Sequence, residues 1–261
     1  MAEVVILPGT PQEARAAAGE LAARLVESVV RARPDAVLGL ATGSTPLPVW
    51  RALAARGLDL ARVRGFALDE YVGLPAGHPQ SYRAVISREV VEPLGLTPGL
   101  VHVPGDDGGP ISSAGPRYED EIARAGGVDL QILGIGRTGH LGFNEPGSSF
   151  ASRTRVKTLT EATRRDNARF FSSVEEVPRH CVTQGLGTIR DARSLVLLAF
   201  GEAKARAVAG AVEGPVSASL PGSAIQLHPQ VTVLLDEAAA SRLRFADYYR
   251  DAWDNRPEWD R

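Results

Sequence analysis

The sequence predicts an α/β protein, a Rossmann-like three-layer αβα sandwich around a mostly parallel central sheet. Three observations predict it. Short runs that are apolar at nearly every position recur along the chain, which is the pattern of strands buried on both faces. Longer helical patterns separate successive runs, as parallel neighbours require. No internal repeat and no long linker interrupts the rhythm, so residues 1–261 read as one domain.

The elements follow in order. EVVIL precedes a helical pattern over 11–33, AVLGL a helix near 46–56, and RGFAL a helix near 80–94. LVHV leads to a helix near 116–125, DLQIL to one near 161–171, and SLVLLAF to one near 202–212. VTVLL then leads to a C-terminal helix. GDDGGPISSAG, 105–115, has the composition of a surface loop, and the chain closes on a polar tail near 251–261 ending DNRPEWDR.

Composition narrows the function. The chain is 44% hydrophobic with a formal net charge of -2. Neither a basic block nor an apolar run near the roughly 20 residues of a spanning helix is present in it, so the expected partner is a small molecule, not nucleic acid or membrane. MAEVVILPGT lacks the basic start and cleavage site of a signal peptide, which predicts a cytoplasmic location. Cys181 is the single cysteine and reads as a buried thiol. The five histidines show no metal-ligand spacing, so no metal is expected. Lys157 and Lys204 are the only lysines in an arginine-rich chain; drift or a need for a compact ammonium accounts for them equally.

Ligands of such sheets bind beyond the carboxyl ends of the strands, so the residues after each run matter most. GIGRTGHLGFNEPG follows DLQIL and contains G-x-G-x-x-G. A dinucleotide fingerprint runs directly into a helix. Here Gly142, Pro146 and Gly147 forbid one, and Glu161 opens a helix instead of ending a strand, which rules out NAD. The glycines instead allow a loop that projects His140, Asn144 and Glu145 into one crevice. An acid/base pair and a solvated loop pair account for the His140–Glu145 spacing equally. ATGSTP, 41–46, places Thr42, Ser44 and Thr45 before a helix whose first turn takes in Pro46. That suits a phosphate or simple helix capping.

Two acidic pairs end strands. Asp236 precedes a strong helix former and is accounted for by capping. Asp69 precedes YVGL, which continues neither strand nor helix, so Asp69 reads as a catalytic base. Lys204 and Arg169 could meet a phosphate, although either alone reads as a surface cation, and Phe170 and Phe171 read as core residues.

Taken together, ATGSTP, LDEYVGL, GIGRTGHLGFNEPGSSFASRTRVKTLT, ARFF and GEAK resemble the glucosamine-6-phosphate deaminase family, in that order and across most of the chain. The resemblance implies no cofactor and conversion of glucosamine 6-phosphate and water to fructose 6-phosphate and ammonia, classed as a hydrolase of a C–N bond with ketol-isomerase chemistry. It implies that Asp69 shuttles a proton between C2 and C1, that His140 assists ring opening, and that Glu145 holds His140. Thr42, Gly43, Ser44, Arg169 and Lys204 would surround the phosphate. Thr138 stands where many members carry Asp or Asn; its hydroxyl can accept from imidazole but supplies no charge. Ser148, Ser149, Arg155, Lys157 and Tyr248 match positions of an inter-subunit allosteric site in hexameric members. A homo-oligomer is therefore an expectation tied to that site. The rival readings are a 6-phosphogluconolactonase-like hydrolase, which lacks F-N-E-P and D-E-Y-V-G-L, and a non-catalytic sugar-phosphate-binding module.

Overall fold

The computed structural model describes residues 3–257. The chain runs β1 (Glu3–Leu7), α1 (Pro11–Ala32), β2 (Val37–Leu40), α2 (Leu47–Ala54), β3 (Arg64–Ala67), β4 (Asp69–Val72) and α3 (Tyr82–Ile86). It continues with α4 (Glu92–Leu94), β5 (Val101–His102), α5 (Ala114–Arg124), β6 (Leu130–Gly134), β7 (Arg155–Thr158) and α6 (Glu161–Asn167). Last come β8 (His180–Thr183), α7 (Leu186–Arg190), β9 (Ser194–Ala199), α8 (Ala205–Val212), β10 (Val231–Asp236), α9 (Glu237–Ala240) and α10 (Ala246–Asp254).

All seven apolar runs become strands of one parallel sheet, in the order β1-β10-β9-β6-β2-β3-β5. β2 is buried at every position and β9 at all but its first, as expected of strands covered by helices on both faces. From β2 the chain moves to β3 and β5 on one side; from β6 it moves to β9 and β10 on the other. The reversal between β2 and β6 opens a crevice at their carboxyl ends.

YVGL departs from expectation. The chain leaves the large sheet at Leu68, whose N–H donates to Leu40 O (3.0 Å) and whose carbonyl accepts from Gln184 N (2.8 Å). Asp69–Val72 then pairs antiparallel with β8, and β8 with β7, as a second, three-stranded sheet. These strands are short and carry charged residues, so their pairing is long-range and leaves no apolar run.

The helix expected near 80–94 changes register midway. Between α3 and α4, residues 87–91 form a π-turn in which Glu92 N–H reaches back to Ser87 O. Pro93 has no N–H with which to continue an α register. The helix expected near 161–171 turns 3-10 at Ala168–Phe170, and the one near 202–212 begins 3-10 at Glu202–Lys204. The loop expected over 105–115 already turns helical at Ile111–Ser113 and enters α5 at Ala114. The tail expected near 251–261 is helical through Asp254, because α10 packs on β1; residues 258–261 lie outside the described residues. Among the described residues no helix is long and apolar enough to cross a membrane.

Candidate active site

A cavity of about 630 Å3 lies at the switch point. Its walls come from residues 41–45 after β2, Leu68 and Asp69 after β3, 134–137 with His140 after β6, and Ala203 with Lys204 after β9. Tyr82 of α3 and Thr163, Asp166 and Asn167 of α6 complete them, with Arg169 and Phe170 just beyond.

Asp69 opens β4 in a buried corner. Gly142 makes room for it: this residue has φ +55°, and a Cβ here would stand 3.2 Å from Asp69 Oδ2 and 2.9 Å from Thr183 Oγ1. Burial, then the neighbouring charge of Glu70, pushes the Asp69 carboxyl up to about 8. Glu70 itself has a local task, accepting from the backbone N–H groups of Tyr71 (2.7 Å), Tyr82 (2.9 Å) and Arg83 (2.8 Å) at the start of α3. The rival Asp236 is structural as expected. It accepts from Ala239 N–H (2.7 Å) to cap α9 and from Gly201 N–H (2.9 Å).

His140 also lines the cavity. Its Nδ1 is 2.9 Å from Thr138 Oγ1 and 3.4 Å from Glu145 Oε2. Thr138 Oγ1 donates to that same Oε2 at 3.0 Å. With its one proton committed to Glu145, the hydroxyl can only accept from His140, so Nδ1 is the ring nitrogen that donates to it. Thr138 thus transmits the carboxylate's influence that it cannot itself supply. Burial works against ionisation of Glu145, but the His140 contact and the hydroxyls of Thr163 and Thr138 override it and hold the carboxyl down at about 2. Thr160 and Thr163 both donate to Glu145 Oε1. Gly136 is equally constrained, since a Cβ there would come within 2.1 Å of His140 Nε2.

Asn144 corrects an expectation. It is fully buried and, like the buried Glu145, does not line the crevice. Its amide donates to Leu141 O (2.9 Å) and Gln184 O (2.7 Å), fastening the glycine-rich loop to the strand beside it. Cys181 is a buried thiol whose pKa is pushed far up by burial, in keeping with an inert packing role.

Thr42, Gly43, Ser44, Arg169 and Lys204, from three separate stretches, all reach the cavity. Pro46 proves to be the N-cap of α2, not part of its first turn, and no side chain caps that helix. Pro48 has no N–H and Val49 N–H donates to Pro46 O (2.9 Å), so the first turn of α2 offers a ligand few free donors beyond its dipole. Burial lowers the pKa of Lys204; the Asp166 carboxylate partly restores it, and Arg137 and Arg169 lower it further. Arg137 was not singled out by the sequence, although it sits inside the G-x-G-x-x-G loop. The hydroxyl of Tyr82 meets Tyr71 OH at 3.4 Å and also touches Thr42; Asn167 donates to Tyr71 OH at 2.9 Å. Phe170 is no core residue. It is 41% exposed, with the Arg169 guanidinium 4.7 Å over its ring. Phe171 is half-buried, edge-on to Tyr71.

The second group of sequence candidates lies elsewhere. Arg155 and Lys157 alternate on β7, so they share a face of the small sheet. Arg155 donates to the buried Ser148 hydroxyl at 3.4 Å. Ser149 is committed to its own turn, its hydroxyl accepting from Ala151 N–H at 3.2 Å. Tyr248 is 57% exposed on α10, which packs on β1 at the edge of the other sheet. Among the described residues, no group of three or more His, Cys, Asp and Glu side chains is placed to hold a metal ion.

A family model described as glucosamine-6-phosphate isomerases/6-phosphogluconolactonase matches residues 9–234. The chain is 60% identical over 261 residues to a glucosamine-6-phosphate deaminase of Arthrobacter sp., covering 98% of each. It is 55% identical over 262 residues to one of Streptomyces coelicolor, again covering 98% of each. Among solved structures, a monomeric glucosamine-6-phosphate deaminase superposes with a TM-score of 0.86 at 39% identity, over 93% of this chain and 100% of that one. A 6-phosphogluconolactonase from Trypanosoma brucei shares the fold, with a TM-score of 0.69 at 21% identity over 93% and 99% of the two chains.

Proposed function

The chain belongs to the family of glucosamine-6-phosphate isomerases and 6-phosphogluconolactonases, and from that premise we propose that it converts glucosamine 6-phosphate and water to fructose 6-phosphate and ammonia. One observation carries the reading: a buried carboxyl of raised pKa lines a cavity with several cations and with a histidine that a hydroxyl joins to a buried glutamate outside the cavity wall. Moving a carbonyl along a sugar needs a carboxylate over the reacting carbons and a separate acid/base at the ring oxygen, while a phosphate elsewhere anchors the substrate.

In this reading His140 takes the proton of the anomeric hydroxyl and returns one to the ring oxygen, which opens the ring to the aldehyde. Asp69 removes the C2 proton and delivers it to C1. The ammonium nitrogen loses one proton as O1 gains one, so the sugar becomes a C2 iminium with a C1 hydroxyl. Water adds at C2 and ammonia leaves. The chemistry is isomerisation first, and C–N hydrolysis only at its last step. A pKa near 8 suits Asp69 to accept and return the same proton, and a cationic amine at C2 favours its ionised form on binding. Thr42, Gly43, Ser44, Arg169 and Lys204 hold the phosphate dianion, using remote binding energy for orientation.

Ammonia and fructose 6-phosphate followed together test this proposal. They are expected to appear in equal amounts, and Asp69→Asn is expected to lower kcat by about 100- to 10,000-fold with little change in KM. Saturable binding without either product would overturn it in favour of a sensor.

A further inference from the structure

Arg137 enters the cavity beside Lys204 and Arg169, and both arginines are close enough to act on the Lys204 ammonium. Its guanidinium is paired with Asp166 of α6, Nε to Oδ2 at 3.1 Å with a second contact from Nη2 to Oδ1. The pair is exposed, 58% on the arginine side and 42% on the aspartate side, which makes it a weak ion pair in water. Asp166 also lines the cavity and is the one carboxylate among the charges acting on Lys204. Arg88 and Glu89 also line the cavity but pair with each other at 3.1 Å, so they add no net charge.

We propose that Arg137 belongs to the phosphate site and that Asp166 is its exchangeable counter-ion, displaced from the guanidinium by the phosphate of the substrate. This deepens the sugar-phosphate reading above and rests on it. Three cations against one carboxylate leave two positive charges, the complement of a phosphate dianion. An arginine presents a planar fork of donors that fits a carboxylate and a phosphate in the same way, so one can replace the other without moving the side chain far. Lys204, whose charge is disfavoured by burial and by both arginines, gains most when the dianion arrives. Asp166 then sets a threshold. A monoanion gains little over the resident carboxylate, whereas a dianion outcompetes it, so the pair selects for doubly charged phosphate.

The alternative is a structural strap joining the β6 loop to α6. The two readings differ in sign. Cutting a strap at either end has the same effect, whereas removing a phosphate ligand and removing its competitor have opposite effects. The test is calorimetric titration of inorganic phosphate into wild type, Arg137→Gln and Asp166→Asn at low ionic strength, with KM for glucosamine 6-phosphate measured alongside. Arg137→Gln is expected to weaken phosphate about three- to tenfold, and Asp166→Asn to tighten it by a similar factor, with KM following in the same direction. Shifts of the same sign, no shift in either variant, or no phosphate binding by wild type would overturn the proposal. Absence of turnover in wild type falls on the functional reading alone, because the phosphate titration requires none.

Discussion

Asp69 meets two demands that conflict in most carboxylates, since it must be ionised to take a proton from carbon and yet hold that proton tightly enough to pass it on. Burial and the charge of Glu70 raise its pKa to about 8, so the basic form of the free protein grows as pH rises toward that value. The expected profile of log(kcat/KM) climbs with pH and levels near 8. Glu70→Gln removes the neighbouring negative charge, which eases ionisation of Asp69 and moves that limb to lower pH. A limb that stays in place in this variant would show that Glu70 exerts no electrostatic effect on the base. Thr138 makes a separate prediction. Thr138→Val breaks the hydroxyl bridge between Glu145 and His140 and is expected to lower kcat about tenfold at constant KM. Thr138→Ser keeps the bridge and should retain activity. Steady-state kinetics of the two variants decides the point, and equal kcat values would dismiss the bridge.

At the scale of elements, the loop after β6 is built by close approach of backbone to functional side chains. Gly136 leaves room for the His140 ring, and a methyl group there would overlap Nε2. Gly136→Ala is therefore expected to displace the imidazole and cost about 100-fold in kcat, with inorganic phosphate still bound because the cations are untouched. Loss of phosphate binding as well would mean that the loop moves as a whole. The large sheet was legible because its strands are buried on both faces and must be apolar throughout. The three-stranded sheet was not. Asp69–Val72, Arg155–Thr158 and His180–Thr183 are brought together from distant parts of the chain, and the charged residues among them mask the strand pattern. Asp69, read as the acid with no local role, does line the cavity, although Tyr71 and Val72 of YVGL continue it as a strand.

At the scale of the molecule, Arg155 on β7 bonds Ser148, whereas Tyr248 lies on α10 against β1 at the edge of the other sheet, so the inter-subunit site is expected to draw them from two copies. Light scattering across a concentration series tests this directly. Assembly that grows with concentration keeps the inter-subunit site open, and a constant monomer, the state of the 39%-identical relative, removes it. The sequence by itself determined the parallel sheet, because burial on both faces demands unbroken apolar runs. It also pointed to the strand ends that line the cavity, because glycine-rich turns, capping patterns and family motifs are local. Only the tertiary structure decided that Asn144 fastens the loop instead of facing the ligand, that Thr138 bridges His140 to Glu145, and that Arg137 joins Lys204 and Arg169. Each of those depends on side chains from separate segments meeting at one point, and the distances at which they meet are set by packing, not by spacing along the chain.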